Sequence, residues 1–497
     1  MKINLSKAGV KNFFFKYVVG TVLGIEICLS MLIYIMVLLN VPTQNGDNVE
    51  HLHSSFLVAS GLVPYKDFFQ HHNPLMWYLF APVMKLFAYN ATASEVISFI
   101  SFLVFLKSLV YVYRIGDEFL GSKFIGVIAV MAIMVPSYKI FALDFRPDNY
   151  MMFCLMGCIY YYFSYLKHKK VWQLCVAMCY GVCSFLFAQK ALFVLFELFL
   201  IGVYFIYKKE ISLKDALKAA VLPLGMLGLF FVWLWAHDMV ELYFVSNYKF
   251  NLNLVAGFEM GRVSKIHLHI KVWIILAFGA LLYIIFNRKN KYLNIVLLLF
   301  LGEFFQRVFY FSPYSYYYWM LLYFGALAGS FWVVKLDSYN RSFRVMVALF
   351  FAYILSNSLP FQLAEVKRAI ERGIYLPDYI SRRISPCDYV FNGDGLMYNI
   401  FGKDPHYYWQ LIGQLDVVGE KTGIVDKPDI NKLIEYYKPR FVYGKNYFNK
   451  FAEESGRKEI VHYVDMGLID KYYQATPFNH IYELKPEFVK TCSIQKN

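Results

Sequence analysis

The chain has 497 residues, of which 59% are hydrophobic, 20% aromatic and only 17% charged. A soluble globular chain is about 45–50% apolar and about 25% charged, so this composition indicates a membrane protein and excludes a disordered, collagen-like or coiled-coil chain. The formal net charge of +14 could indicate nucleic-acid binding, but the position of the basic residues decides that point.

The basic excess lies in the apolar part of the chain. Residues 362–497 contain 19 Lys and Arg against 18 Asp and Glu, as an ordinary soluble domain does. Residues 1–361 hold the remaining 30 basic and 17 acidic residues. The sequence therefore predicts a transmembrane region over 1–361 and a soluble domain over 362–497.

Apolar segments that approach the length needed to cross a bilayer, about 20 residues, recur along the first part. Eleven are predicted, in chain order: 17–39, 94–113, 124–138, 149–166, 171–189, 191–207, 219–236, 270–286, 292–311, 316–334 and 345–361.

The orientation of these spans follows from the loop charges. The amino terminus and every second loop after it together hold 19 basic and 5 acidic residues, and the intervening loops are close to neutral. Basic loops face the cytoplasm, so the amino terminus is predicted to be cytoplasmic in a multi-pass protein of the cytoplasmic (inner) membrane. With eleven spans, the carboxyl-terminal domain lies outside, in the periplasm or extracellular space. The basic charge is then a topology signal, and no nucleic-acid partner is needed to explain it.

The soluble domain has a mixed α/β pattern. Strands are predicted at 388–391, 440–443 and 480–483, and Asp429 is predicted to open a helix over 429–438. Cys387 and Cys492 are the two cysteines outside the predicted spans, and a disulfide between them is one of two alternatives, the other being free thiols. The predicted fold class is thus an α-helical polytopic membrane protein with a carboxyl-terminal extracytoplasmic α/β domain.

The first outer loop, 40–93, is long and rich in polar residues. Amphipathic helices are predicted at 48–60 and 74–88, lying along the membrane surface. Asp47 and Glu50 have the spacing of a capping box at the start of the first helix. A carboxylate at the membrane surface can also act as a general base toward an acceptor hydroxyl, and one residue can serve both roles.

Histidines in this loop suggest either a ligand site or a metal site. Glu50, His51 and His53 lack the i,i+4 spacing of a helical zinc pair, so no metal ligand set is predicted, although a divalent cation is left open. No other cofactor is predicted. His71 and His72 are instead candidates for hydrogen bonds to a phosphate or a sugar, or for surface positions without a role.

Cations are rare on the outer side of a membrane, yet several lie at outer ends of the predicted spans. Asp148 and Asp144 are close enough in sequence to pair with Arg146, and such pairing is the structural alternative to ligand binding. The favoured ligand is an anionic lipid head group, held by charge-assisted hydrogen bonds from Arg146, Lys190, Arg262 and Arg307.

Three stretches resemble a known superfamily. They are Gly46-Asp-Asn-Val-Glu-His51, Asn73-Pro-Leu-Met-Trp-Tyr78 and Phe145-Arg-Pro-Asp-Asn149. In this order, with the predicted topology, they resemble the GT-C integral-membrane glycosyltransferases, in the branch of protein O-mannosyltransferases and lipid A aminoarabinose transferases. The resemblance implies a sugar donor linked to polyprenyl phosphate and a catalytic acid at Asp47, with Glu50 as second candidate. Arg146 and Asp148 match the Arg-Pro-Asp stretch of that superfamily.

The resulting hypothesis is an enzyme that transfers a sugar from a polyprenyl phosphate to a cell-envelope acceptor, with inversion at the anomeric carbon. The acceptor could be lipopolysaccharide, including its O-antigen, another surface glycan or a protein. Besides the donor and the acceptor, membrane lipids are the predicted partners. The alternative is a transporter or a flippase for a lipid-linked glycan, with acids inside the spans as proton relays: Glu26, Glu197 and Glu303. A transporter predicts internal repeats, and no convincing repeat is present.

Overall fold

The structure is a computed structural model. It describes residues 46–87, 92–134, 145–253, 268–286, 290–309, 318–339, 376–385, 387–392, 399–408, 429–443, 447–448, 461–462 and 464–489, with isolated positions between 21 and 35 and between 346 and 367.

Helices make up the described part of the transmembrane region. In chain order they are α1 Gly46–Ala59, α2 Leu75–Leu86, α3 Thr92–Glu118, α4 Lys123–Met134, α5 Pro147–His168, α6 Val171–Phe187, α7 Ala191–Tyr207, α8 Leu213–Ala236, α9 Val240–Phe244 with a π-helical continuation Val245–Phe250, α10 Leu268–Phe286, α11 Lys291–Phe309 and α12 Trp319–Tyr339.

The helices agree with the predicted spans wherever the two can be compared. Each predicted span from the second to the tenth overlaps one helix from α3 to α8 or from α10 to α12. Among the described residues, three helices are long and apolar enough to cross a membrane by length and composition: α3, α8 and α12. The first and last predicted spans fall largely outside the described residues, so the count of eleven stays a prediction.

One apolar core runs through the bundle. Helix α5 packs against α3 and α6, α10 packs against α12, and α1 packs against α2. Helices α3 and α4 approach each other closely in this core, where a Cβ atom on Gly116 would lie 2.5 Å from the backbone nitrogen of Gly126. Such glycines let two helix backbones meet without side chains between them.

The carboxyl-terminal part contains a small α/β unit. Its elements are α13 Leu376–Ser381, β1 Val390–Phe391, α14 Ile430–Tyr437, β2 Phe441–Tyr443, β3 Tyr447–Phe448, β4 Val461–His462, α15 Met466–Tyr472, β5 Tyr473–Ala475 and β6 Ile481–Leu484.

Four of these strands form one sheet in the order β1-β2-β6-β5, in which β1 and β2 are parallel and the other pairs antiparallel. Strands β1 and β2 lie within the segments predicted from the sequence, and β6 overlaps the predicted segment 480–483 and ends one residue after it. Helix α14 begins where predicted, and the Asp429 side chain accepts a hydrogen bond from the Lys432 backbone N–H at 3.2 Å. Cys387 is disulfide-bonded, whereas Cys492 lies outside the described residues.

The carboxyl-terminal part contacts the first loop. Residues 399–408 lie against α1 and the turn that follows it. The Tyr407 hydroxyl donates to the Tyr65 carbonyl at 2.6 Å, and the Phe69 N–H donates to the Tyr407 carbonyl at 2.9 Å. The Phe401 ring packs edge-on against Phe56. The two parts of the chain therefore meet at the loop that carries the candidate acids.

Candidate functional site

The first loop contains the two predicted helices. Helices α1 and α2 lie at nearly the expected bounds, with Pro74 immediately before α2. Helix α1 begins at Gly46, so Asp47 lies in its first turn and does not precede it. The capping-box alternative, in which Asp47 precedes the helix, is therefore wrong, and the Asp47 carboxylate has a different partner.

That partner is Arg146. The Arg146 Nη2 atom lies 2.7 Å from Asp47 Oδ2, and the Nε atom of the same guanidinium lies 3.9 Å from Asp148 Oδ2. Asp148 also forms an ion pair with Lys190 Nζ. We call these four residues the ion-pair cluster. The Arg146 side chain is only 6% exposed, whereas Asp47 is 35% exposed. The cluster thus orients Asp47 from a buried guanidinium and leaves its carboxylate accessible.

The backbone around Arg146 explains how the cluster forms. Pro147 occupies the first turn of α5, where its missing N–H and fixed φ are tolerated, and Arg146 before it is extended. The Asn48 side chain accepts a hydrogen bond from the Phe145 N–H at 2.7 Å. Because Asn48 follows Asp47, this bond fixes α1 beside Arg146.

Three helices begin at the ion-pair cluster. Asp47 lies in the first turn of α1, Asp148 in the first turn of α5, and Lys190 immediately precedes α7. The amino-terminal end of a helix carries a partial positive charge and unpaired N–H groups that attract anions. Together with Arg146 and Lys190, these ends form a setting suited to an anionic ligand.

A second group of polar residues lies deeper in the loop. Glu50, His71 and His72 each place one possible ligand atom within 4.8 Å of the other two. The His71 and His72 ring centroids are 4.2 Å apart, and the His51 ring lies 5.1 Å from His72. We call Glu50, His71 and His72 the histidine cluster.

Burial keeps these imidazoles neutral at pH 7. It lowers the pKa of His71 to about 4, and it also lowers the pKa values of His51 and His72. The Arg146 charge lowers the pKa of His51 further. A neutral imidazole keeps one ring nitrogen as an acceptor or metal ligand.

Side chains from the same loop and from two distant segments hold the His71–His72 backbone. The His71 carbonyl accepts hydrogen bonds from Gln189 at 3.1 Å and from Asn251 at 2.9 Å. The Tyr65 hydroxyl donates to the His72 carbonyl at 2.5 Å. The position of these histidines is therefore set by the turn after α1, the turn between α6 and α7, and the residue after the π-helical segment, a combination that no local sequence pattern indicates.

The remaining predicted cations have different surroundings. Arg307 forms an ion pair with Glu303, one turn earlier on α11, at 3.1 Å. Burial lowers the pKa of Lys190, and the Arg307 charge contributes in the same direction. Arg262 lies outside the described residues, as does Glu26. Glu303 is thus paired with a cation, whereas Glu197 on α7 has a buried carboxylate oxygen, Oε2, without a hydrogen-bond partner among the described residues.

Sequence reasoning missed several residues of the site. Gln70 donates to Glu50 at 3.1 Å and to Ser54 at 2.7 Å, and the Trp77 indole donates to His51 at 3.3 Å. Trp77 lies in the Asn73–Tyr78 stretch singled out in the sequence, but its partner could not be read from spacing alone.

Known proteins resemble the chain in part of its sequence and in its fold. The dolichyl-phosphate-mannose-protein mannosyltransferase family matches residues 71–235. No curated protein matches the sequence.

Among solved structures, ArnT from Cupriavidus metallidurans bound to undecaprenyl phosphate superposes with a TM-score of 0.50 at 11% identity, covering 80% of this chain and 88% of ArnT. The apo state of the same ArnT gives a TM-score of 0.50 at 12% identity, with coverages of 76% and 83%. The oligosaccharyltransferase AglB from Archaeoglobus fulgidus gives 0.48 at 13% identity, with coverages of 96% and 75%.

Sequence identity this low relates folds and not activities. The fold, the matched segment and the three quoted stretches nevertheless agree with one another. They show that this multi-pass membrane chain resembles the GT-C superfamily of integral-membrane glycosyltransferases, in the branch of protein O-mannosyltransferases and lipid A aminoarabinose transferases.

Proposed function

We propose that the protein transfers a sugar from a polyprenyl-phosphate donor to a cell-envelope acceptor on the outer face of the cytoplasmic membrane. The matched family is named for a mannosyl donor on dolichyl phosphate, and the ArnT structure of similar fold holds undecaprenyl phosphate. A lipid-linked donor places its phosphate at the membrane surface, where α1 and its loop are expected to lie.

The ion-pair cluster is the observation that carries this proposal. Arg146 and Lys190 are cations at converging helix ends, as a lipid phosphate requires. Asp47 lies at 2.7 Å from Arg146 and is still partly exposed. One small region thus combines phosphate-binding cations with an oriented, accessible carboxylate.

The chemistry follows from these positions. Asp47 accepts the proton of the acceptor hydroxyl while that oxygen forms a bond to the anomeric carbon. The bond from this carbon to the phosphate oxygen breaks, and the phosphate leaves with the electron pair. Lys190 and Arg146 stabilise the charge on the leaving phosphate. A single displacement of this kind inverts the anomeric configuration. Glu50 remains the second candidate for the base.

The identity of the acceptor is a separate part of the proposal. Lipopolysaccharide with its O-antigen, another surface glycan and a protein all present hydroxyl groups to a site on this face. A transporter or a flippase is less well supported, because the ion-pair cluster suits a transfer reaction and because one of the two described acids within the spans, Glu303, is paired with Arg307.

Contacts between the first loop and the carboxyl-terminal part support the proposed topology. His53 on α1 lies 2.7 Å from Asp404, so residues 46–59 and residues 399–408 lie on one side of the membrane. We expect an alkaline phosphatase fusion after Phe361 to be active. A cytoplasmic reporter that is active at the same position, with an inactive phosphatase, would contradict the eleven-span topology.

Mass spectrometry of surface glycans tests the function directly. We expect a strain without the gene to lack one sugar substituent on a glycan or protein, and the wild-type gene to restore it. Unchanged glycans and glycoproteins in the deletion strain would contradict the proposal. The mass of the missing substituent would identify the sugar, and the molecule that loses it would identify the acceptor.

A further inference from the structure

His71 and His72 have no part in the transfer chemistry proposed above, and Glu50 enters it only as the second candidate for the base. Glu50 and the His71–His72 pair lie far apart in the sequence, and folding brings one possible ligand atom of each within 4.8 Å of the others. We propose that Glu50, His71 and His72 bind one divalent transition-metal cation of the Zn²⁺ class. The proposal concerns binding and does not depend on the transferase activity.

The donor set selects the class of ion. Two imidazole nitrogens and one carboxylate form the ligand set of many zinc sites that keep a position open for water or substrate. Mg²⁺ and Ca²⁺ prefer sites made of oxygen ligands, and imidazole favours zinc and its neighbours among the transition metals. The cluster therefore suits Zn²⁺ better than Mg²⁺.

The geometry needs only small side-chain adjustments. Ligand atoms about 2.0–2.1 Å from a tetrahedral ion lie about 3.4 Å from one another, against the present upper bound of 4.8 Å. His71 supplies independent support, because its Nδ1 atom is buried and, among the described residues, has no hydrogen-bond partner. Buried polar atoms in native proteins usually have a partner, and a bound cation would supply one within this cluster.

Gln70 provides the outer support expected of a metal site. Its side-chain nitrogen donates to Glu50 Oε1 at 3.1 Å, and its side-chain oxygen accepts from the His71 N–H at 3.2 Å. Gln70 itself is fully buried. A hydrogen bond of the first kind orients a ligating carboxylate, and the second fixes the backbone of His71, so one side chain connects two of the three ligand residues.

Zinc binding would also divide the roles of the two acids in α1. A carboxylate that coordinates an ion is a poor general base, so Glu50 as a ligand leaves Asp47 as the base. Three protein ligands leave a tetrahedral ion one position for water or for an oxygen atom of a bound molecule.

Metal titration of the full-length protein in detergent tests the proposal. After the protein has been stripped with a chelator, we expect Zn²⁺ to bind with a stoichiometry of one per chain in calorimetry, and Co²⁺ to give the visible absorption of a tetrahedral site. Glu50→Gln and His71→Asn should each weaken Zn²⁺ binding by at least about 100-fold, since loss of an outer-shell partner alone costs about 10–100-fold.

The matched control is His168→Asn, because His168 is exposed at the end of α5 and far along the chain from the cluster. Thermal unfolding checks that each variant is folded, and Zn²⁺ should raise the midpoint of the wild type and the control but not of the cluster variants. If Glu50→Gln does not fold, His72→Asn carries the same test. Absence of binding in the wild type, or equal binding in the cluster variants, would overturn the proposal, whatever the transferase assay shows.

Discussion

The first loop and the carboxyl-terminal part differ in what their polar residues do. In residues 46–87, polar and charged side chains are buried and joined into clusters: Asn48, Glu50, His51, His53, Gln70, His71 and Asn73. In the carboxyl-terminal part, the sheet has its own apolar cores, and charged residues such as Lys432 are mostly exposed. Buried polar groups cost free energy unless they are paired, so the first loop is organised for chemistry and the second part for support.

A contact centred on His53 joins these two parts. His53 Nε2 lies 2.7 Å from Asp404, and His53 Nδ1 lies 2.8 Å from the Ile400 carbonyl. Asp404 in turn accepts a hydrogen bond from Asn399. His53 is fully buried and lies on α1, the helix that carries Asp47. The carboxyl-terminal part thus contributes to the site by holding α1, although it supplies none of the four residues of the ion-pair cluster.

The largest effect is expected from Asp47→Asn. Loss of a general base costs about 10²–10⁴ in rate, whereas the new amide keeps the shape of the side chain. We expect a folded, correctly inserted protein with almost no transfer activity, measured with a polyprenyl-linked donor and with complementation of the deletion strain.

Asp67→Asn is the control for this change. Asp67 is exposed in the same loop and accepts a hydrogen bond from the Val63 N–H, so its replacement should leave the rate near the wild-type value. Near-normal activity of Asp47→Asn, with an inactive Glu50→Gln, would transfer the role of base to Glu50. If both stay active, the catalytic centre is not in the first loop.

A smaller loss is expected from Lys190→Ala. A hydrogen bond to a charged group contributes about 1.5–3 kcal/mol, which corresponds to about 10- to 150-fold in affinity. We expect the KM for the lipid donor to rise within this range, and Lys190→Arg to keep most of the affinity because it keeps the charge.

Lys66→Ala is the matched control, since Lys66 is an exposed cation of the first loop. Single variants of Arg146, Arg262 and Arg307 complete the series. If the KM for the lipid donor stays unchanged in all four single alanine variants, the proposal that these cations bind the lipid phosphate is contradicted.

The helices of the first loop and of the membrane region were predictable from the sequence, and the contacts between distant side chains were not, for physical reasons. Periodicity and hydropathy locate α1, α2 and the described membrane helices, because burial of one face leaves a local pattern. The three-stretch resemblance singled out Asp47, Arg146 and Asp148. The pairing of Asp47 with Arg146 was not predicted, since a salt bridge between distant segments leaves no spacing to read.

The same limit applies to the histidines. The sequence assigned no role to His53, and only the fold shows that it reaches Asp404. The capping arrangement at Asp47 failed for a different reason. The Asp-x-x-Glu spacing allowed it, but helix α1 begins at Gly46, two residues before the predicted start, and the buried Arg146 guanidinium pairs with the Asp47 carboxylate.

The smallest effect concerns the contact between the two parts. His53→Ala and Asp404→Ala should each destabilise the protein by about 1–3 kcal/mol, because each leaves a buried polar partner unsatisfied. If the two side chains act on each other, the double variant should lose less than the sum, with a coupling energy of about 0.5–3 kcal/mol. The measurement is a double-mutant cycle of thermal unfolding in detergent.

Arg114 and Glu118 provide the control cycle, since this i,i+4 pair is partly exposed, with side chains 46% and 30% accessible, and should couple by only about 0.3–0.5 kcal/mol.

The His53 and Asp404 variants should also affect catalysis. Since His53 and Asp47 lie on one helix, loosening the carboxyl-terminal contact should lower kcat by a modest factor and leave the KM for the donor nearly unchanged, because Lys190 lies on other elements. Additive stability losses, or a change confined to the donor KM, would show that the carboxyl-terminal part does not hold α1 in place.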